Sequence, residues 1–578
     1  MKKALLSICL IAFTFTIWAQ DMDAVLFSVG DDAITATEFI NTFNKNNSLT
    51  NASANELRDY LDLFINFKLK VRDGIDSQID TVADFQRELA SYRAQSAQPY
   101  LVDKDVSEKL VKEAMERSKL MLRASHILIM CATDASPKDS LIAYNKILDI
   151  RKKIVSGVIT FPEAAVQFSE DPSARDEVGQ NGKIQYGNKG DLGYFSAFDL
   201  IYPFETAAYN TPAGSFSMPI RSQFGYHIIW VQDIQPFISK ISISQILLLD
   251  TAARFGKISN AVKEKLTLIE EALQNGEDFA TVAGKYTEDP TSKDKGGKLD
   301  PLAPNRRPGD FIKQCISLEK DQISNSFPSV IGWHIVKLHE LILSETKDDE
   351  LRYTMVTKVQ RDSRSSKSVE SLIEKLKKEY KYSDKGKNEA FNLLIKKLNT
   401  EKNIPAATDL LAITGIEKLK PMAIYANQSV TIQDFIHYLV LFQEIELPQE
   451  LKSFLDTHFE NFINENLLKY EFDNLENKYP EYKDLINEYH QGMILFEMNN
   501  EKVWSESLKD SINIELFYEK VKDHYLDNDG NPKPLLEIRS AVLTEYQNEL
   551  ETEWLNGLRE KYPVWINEEL FDYILKNK

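Results

Sequence analysis

Three residues in the stretch 122–235 have side chains that hold or pass protons: His126 in ASHIL, Asp171 in FSEDPS and His227 in GYHII. Each histidine sits in a short apolar run of the kind that forms a strand. A buried imidazole must find hydrogen-bond partners for its ring nitrogens. Two histidines on two strands can supply each other, one nitrogen donating where the other accepts. Taken singly, each histidine suits a satisfied core role, and Asp171 suits an Asp-Pro turn. Together the three invite a site. Leu192, Leu200, Phe204, Met218 and Phe224 offer apolar side chains for a pocket beside them, or plain core packing. Metal hydrolysis fits poorly: the eight histidines are scattered, with neither HExxH nor a Cys/His ligand cluster.

The elements that must position these residues recur. Residues 122–235 and 240–341 each open on a strand-like run, LRASHILIM and KISISQILLL. Each continues with a helix ending near Gly157 or Gly276, then a matching phrase, FPEAAVQFSEDPS or FATVAGKYTEDPT. Each closes on a Gly-aromatic-His strand, FGYHIIWVQD or IGWHIVKLHE. Strand, helices and strands within about 100 residues predict a duplicated α+β unit.

Helical blocks flank the pair. VLFSVGDDAIT suggests a strand and turn, Thr37 a cap for the helix after it, and Leu57, Leu61, Phe64 and Leu69 recur at helical spacing. Four phrases in 34–109 recur in 430–506 at an offset of 396 to 398, which predicts a second duplication. Residues 345–420 read as a linking helical segment, and the tail as a long helix followed by the strand KYPVWIN. The chain of 578 residues is long enough for about three to five domains.

Residues 1–19 have a basic start, Lys2 and Lys3, then an apolar run too short to span a bilayer. They predict a secretory leader cleaved after Ala19, with no membrane span left afterwards. Only Cys131 and Cys315 follow the leader, in different units, so no disulfide is expected. The net charge of −19 argues against nucleic acid as a partner, because phosphate binding wants clustered Lys and Arg.

Five motifs now stand in order: ASHILI at 124–129, FSEDPS at 168–173, GDLGYF at 190–195, PFETAAY at 203–209 and SQFGYHII at 222–229. In this order they resemble the parvulin family of peptidyl-prolyl cis/trans isomerases. The whole chain resembles secreted parvulin-type chaperones of the SurA kind. The implied fold is α+β and multidomain: a helical chaperone module, two parvulin-like units of order βαααβαββ, and a helical C-terminal region. The implied limits are 20–120 for the first module, 121–236 and 239–342 for the parvulin units, 343–425 for a linking segment and 426–578 for the C-terminal module. The last helix and strand would rejoin the first module.

Position by position, the resemblance implies that His126 and His227 are a dual-histidine pair and that Asp171 stands where the family has Asp or Cys. It implies that Ser222 hydrogen-bonds the histidine network. Leu192, Leu200 and Phe204 would hold a proline ring, with Phe224 at the rim. Rotation of an X-Pro amide needs no nucleophile and no cofactor. The expected partners are unfolded exported chains with X-Pro bonds, including outer-membrane proteins, and the expected compartment is the periplasm. The alternative is a holdase with little turnover. In the second unit Gln245 stands at the His126 position, with Asp289, Phe311 and His334 retained and GGKLDPL in place of GDLGYF. A weak or inactive second unit is expected. The stretch CATDASPKDS after the first strand has one Lys and two Asp, the wrong balance for a phosphorylated substrate.

Overall fold

The structure, a computed structural model, describes residues 23–133, 135–178, 184–344, 346–398, 407–416, 420–442, 451–509 and 511–577. The expected leader lies outside them. The described chain forms two compact units, one of residues up to Gln98 together with those from Asn474 onward, the other Pro99–Asp473. Among the described residues no helix is long and apolar enough to cross a membrane.

The first unit is built from both ends of the chain. Strands Val25–Val29 and Asp32–Thr35 form a hairpin that runs into the helix Ala36–Asn44. The cap of that helix is Thr35, whose hydroxyl accepts from the Glu38 amide, and not the expected Thr37. Thr35 still has extended backbone as the last strand residue, which aims its oxygen at the third helical amide; Thr37 is already helical and donates to Asp23. The next helix, Ala54–Asp76, starts on a Ser53–Glu56 capping box and buries Leu57, Leu61, Phe64 and Leu69, as their spacing predicts. The tail strand Val564–Ile566 pairs antiparallel with Val25–Val29. A further helix, Glu568–Asn577, follows that strand and was not foreseen; it buries Leu570, Phe571 and Ile574 in the same core.

The hairpin pattern recurs in the second unit. Strands Ala423–Tyr425 and Gln428–Val430 pair, and Thr431 caps the helix Ile432–Leu439 with Asp434, as Thr35 does with Glu38. The expected division between 425 and 426 therefore cuts a hairpin. The stretch read as a linker is packed: helix Asp348–Arg361 places Met355 and Val359 against Leu110, Val111 and Ala114 of helix Lys104–Ser118.

Two α+β domains lie within this unit. In the first, four antiparallel strands run in the order Asp191–Phe195, Leu120–Met130, Gly225–Pro236, Ile220–Ser222. Side chains of a strand alternate between faces. Ile127, Ile129 and Ile228 meet helices Pro137–Val155 and Phe161–Phe168 on one face. Leu122, Ala124, Ile229 and Val231 meet helix Tyr202–Tyr209 on the other. His126 and His227 share that second face by the same alternation. The third helix of the expected order is a single 3-10 turn, Pro172–Ala174. In the second domain Gly332–Leu343 pairs with Ile238–Leu249 and with the short Phe327–Pro328. Its GGKLDPL stretch makes only isolated bridges to the sheet. Cys131 and Cys315 are separate buried thiols, one in each domain.

Candidate active site

Strand register brings the two histidines together. His126 faces Ile229 and His227 faces Leu128 across the central strand pair, so the two imidazoles sit diagonally on one face. Their rings lie 5.6 Å apart and nearly parallel, with the two Nδ1 atoms 3.4 Å apart. Phe204 closes the group from helix Tyr202–Tyr209, edge-on to His126 at 5.7 Å and to His227 at 5.6 Å.

The third member is fixed by the strand edge. The Ser169 hydroxyl accepts the Leu128 amide, and the Glu170 amide donates to the Leu128 carbonyl, which ties 169–171 to the strand. Asp171 then faces His126, Oδ2 to Nε2 at 2.9 Å, while its Oδ1 accepts the Ser173 amide. Asp171 is thus a turn former and a network member at once. Farther along the same edge, the His126 amide donates to the Gly190 carbonyl. Gly190 has φ +85°, and a side-chain carbon there would meet the His126 carbonyl at 2.6 Å.

At the other end, Ser222 Oγ lies 2.7 Å from His227 Nε2 and accepts the Phe224 amide. One choice of tautomer for each ring satisfies every nitrogen once. Ser222 donates to His227 Nε2, His227 Nδ1–H donates to His126 Nδ1, and His126 Nε2–H donates to Asp171. Burial, and then the nearness of His126, pushes His227 down to about 4. The bond from His126, opposed by burial, holds Asp171 far below the ordinary carboxylate range.

Leu192 and Leu200 pack with Phe204 in one apolar cluster. Met218 and Phe224 stand outside it, at 56% and 53% exposure. Sequence reasoning passed over Ser169, which places Asp171. The signal was present: a hydroxyl occupies the same position of both repeated phrases, and Thr287 accepts the Leu247 amide in the second domain as Ser169 does in the first. Between Asp171 and Gly190, Asp176 and Tyr186 meet the second domain at Arg254, which pairs with Asp176 and lies 4.0 Å over the Tyr186 ring.

The second domain repeats half of the network. Ser329 Oγ lies 2.8 Å from His334 Nε2, and Phe311 stands edge-on to His334 at 5.2 Å. Gln245, at the His126 position, turns to Asp289 at 2.8 Å. His334 Nδ1 is buried and has no partner among the described residues.

Known proteins are similar to parts of this chain. Over 234 residues the chain is 26% identical to a chaperone SurA of Methylococcus capsulatus, covering 40% of this chain and 48% of that protein. It is 36% identical over 143 residues to foldase protein PrsA 1 of Bacillus cereus, covering 25% and 41%. The chain thus spans about half or less of the length of these relatives. A solution structure of TbPIN1 aligns at 28% identity and TM-score 0.16, over 20% of this chain and 97% of that one. The description of the Rotamase family, the PPIC-type PPIASE domain, matches residues 126–233, which hold His126, Asp171, Ser222 and His227, and 247–340, which hold Asp289, Ser329 and His334 but not Gln245. Over those two segments the chain is similar to the PPIC-type family of peptidyl-prolyl isomerases.

Proposed function

We propose that this chain is an exported peptidyl-prolyl cis/trans isomerase and chaperone that acts in the periplasm on unfolded exported proteins, outer-membrane proteins among them. The observation that carries the reading is the closed chain Ser222–His227–His126–Asp171 against Phe204. Rotation about an X-Pro bond faces a barrier of about 18–20 kcal/mol, because amide resonance is lost at the twisted state. That state carries less charge separation than the planar amide, so an apolar slot favours it by differential binding. Leu192, Leu200 and Phe204 hold the proline ring. The linked histidines keep the slot in shape, and Asp171 sets the field near the carbonyl.

The second domain supports a holdase reading for its own site. With Gln245 drawn to Asp289, its network is open, and it binds chains without meaningful turnover. The full chain is tested with a proline peptide in an isomerisation assay. Acceleration by the wild type, lost in His126→Ala and kept in His334→Ala, is expected. No acceleration by the wild type overturns the isomerase reading and leaves the holdase. For export, the mature protein from the producing cell is expected to begin at Gln20; an intact leader overturns that part.

A further inference from the structure

Phe204, which walls both histidines, is followed by Glu205, whose side chain leaves helix Tyr202–Tyr209 about 100° around from it. Glu205 is fully buried. A carboxylate taken out of water stays ionised only where cations and donors surround it. Here its cations come from outside the matched domain. Arg117, on helix Lys104–Ser118, reaches Oε1 at 2.9 Å. Arg364, in the turn between helices Asp348–Arg361 and Ser366–Glu379, reaches Oε2 at 2.9 Å and Oε1 at 3.2 Å. The Phe198 amide fills the remaining site on Oε2 at 2.7 Å.

Arg364 has no exposed side-chain surface. Its guanidinium stacks over the Phe198 ring at 3.9 Å and the Tyr202 ring at 4.6 Å, and its Nε donates to Asp362. Such a fork fixes orientation as well as charge. The segment after the second parvulin domain therefore grips the helix that carries the proline-pocket wall of the first, across a sequence gap of 159 residues.

We propose that Arg364 is a positioning residue for the isomerase site: acting through Glu205, it sets where Phe204 stands against His126 and His227, so the helical region after the second domain completes the pocket of the first. This rests on the isomerase reading above. Without Arg364, Glu205 is a buried charge with one cation fewer, and the helix must shift or the carboxyl must take a proton. Small displacements of a binding wall have large effects on rate.

The test uses the full chain and the Arg364→Lys, Arg364→Met and Glu205→Gln/Arg364→Met variants. Arg364→Lys keeps the charge and loses the fork, and is expected to raise KM about threefold with little change in kcat. Arg364→Met is expected to lower kcat/KM about tenfold. The double variant removes the charge that needs a partner, and is expected to recover to within about threefold of wild type. General loss of packing would give the opposite order, the double variant falling below the single one. In histidine-labelled protein, the ring resonances of His126 and His227 are expected to move in Arg364→Lys while those of His334 stay. A wild-type KM with unmoved rings in Arg364→Lys, or a double variant no better than Arg364→Met, overturns the proposal. If Arg364→Met does not fold, Arg364→Lys and the ring resonances decide. An inactive wild type counts against the isomerase reading alone, because the ring resonances still answer for Arg364.

Discussion

The Nδ1 atoms of His126 and His227 face each other at 3.4 Å, from two strands that are neighbours in the sheet and about 100 residues apart in the chain. Each ring has its far nitrogen occupied, one by Asp171 and the other by Ser222. The pair is therefore held from both ends, and its shape depends on both rings being imidazole.

His126→Gln would copy the second domain into the first. A Gln at this position in the second domain turns to the Asp and leaves the remaining histidine with a bare Nδ1. The same substitution in the first domain is expected to lower kcat/KM on the order of 10²-fold, at little cost in folding. A proline-peptide assay on the full chain checks this; activity within twofold of wild type, roughly the scatter of such rates, would show that the second imidazole is dispensable.

Acid should weaken the fold through both buried histidines. His227 and His334 are each pushed from their ordinary value to about 4, burial being the main cause. A lowered histidine binds fewer protons folded than unfolded, so its contribution is complete above about pH 6.5 and is lost as pH falls towards 4. Each group contributes at most about 3 kcal/mol over that window. Denaturant titrations at pH 7, 6, 5 and 4.5 are expected to show falling stability, and a flat profile would contradict the burial argument.

His334→Leu separates that effect from catalysis. The replacement removes a buried nitrogen that has no partner among the described residues and leaves Ser329 half-buried, where water can serve it. Stability at pH 7 is expected to change by less than about 1 kcal/mol, with a shallower loss below pH 6.5 and unchanged isomerase activity. A large drop in activity would assign the second domain a catalytic part.

Phe571 tests the closing helix. Its ring is fully buried, lies 6.2 Å from Phe39, and has the Arg58 guanidinium 4.3 Å above it. Phe571→Ala is expected to destabilise the first unit by about 3–5 kcal/mol. Thermal melting reads this directly, and an unchanged midpoint would mean that the helix Glu568–Asn577 is not part of that core.

Much of the site was legible in local phrases. The apolar run LRASHILIM placed His126 in a strand, the repeat of FSEDPS as YTEDPT marked the loop of Asp171, and the change from His126 to Gln245 stood out because the two units align. Met218 was read as a pocket residue because it is apolar and near in sequence, yet it is mostly exposed. Apolar type alone does not say on which side of a strand end a residue emerges. Thr37 and Thr35 were equally good caps by type, and only the backbone at the end of the strand chose between them.

What the chain carried by itself was local and periodic: strand and helix patterns, a duplicated α+β unit, and a pair of histidines too deep in apolar runs to be left alone. Tertiary structure alone decided how distant segments meet. The tail was expected at the first module, but its register, Phe27 opposite Ile566, and the convergence of Arg117 and Arg364 on Glu205 came from the tertiary structure. Backbone edges and buried charges accept any partner of the right geometry, so the choice is made by packing over hundreds of residues and leaves no mark in nearby sequence.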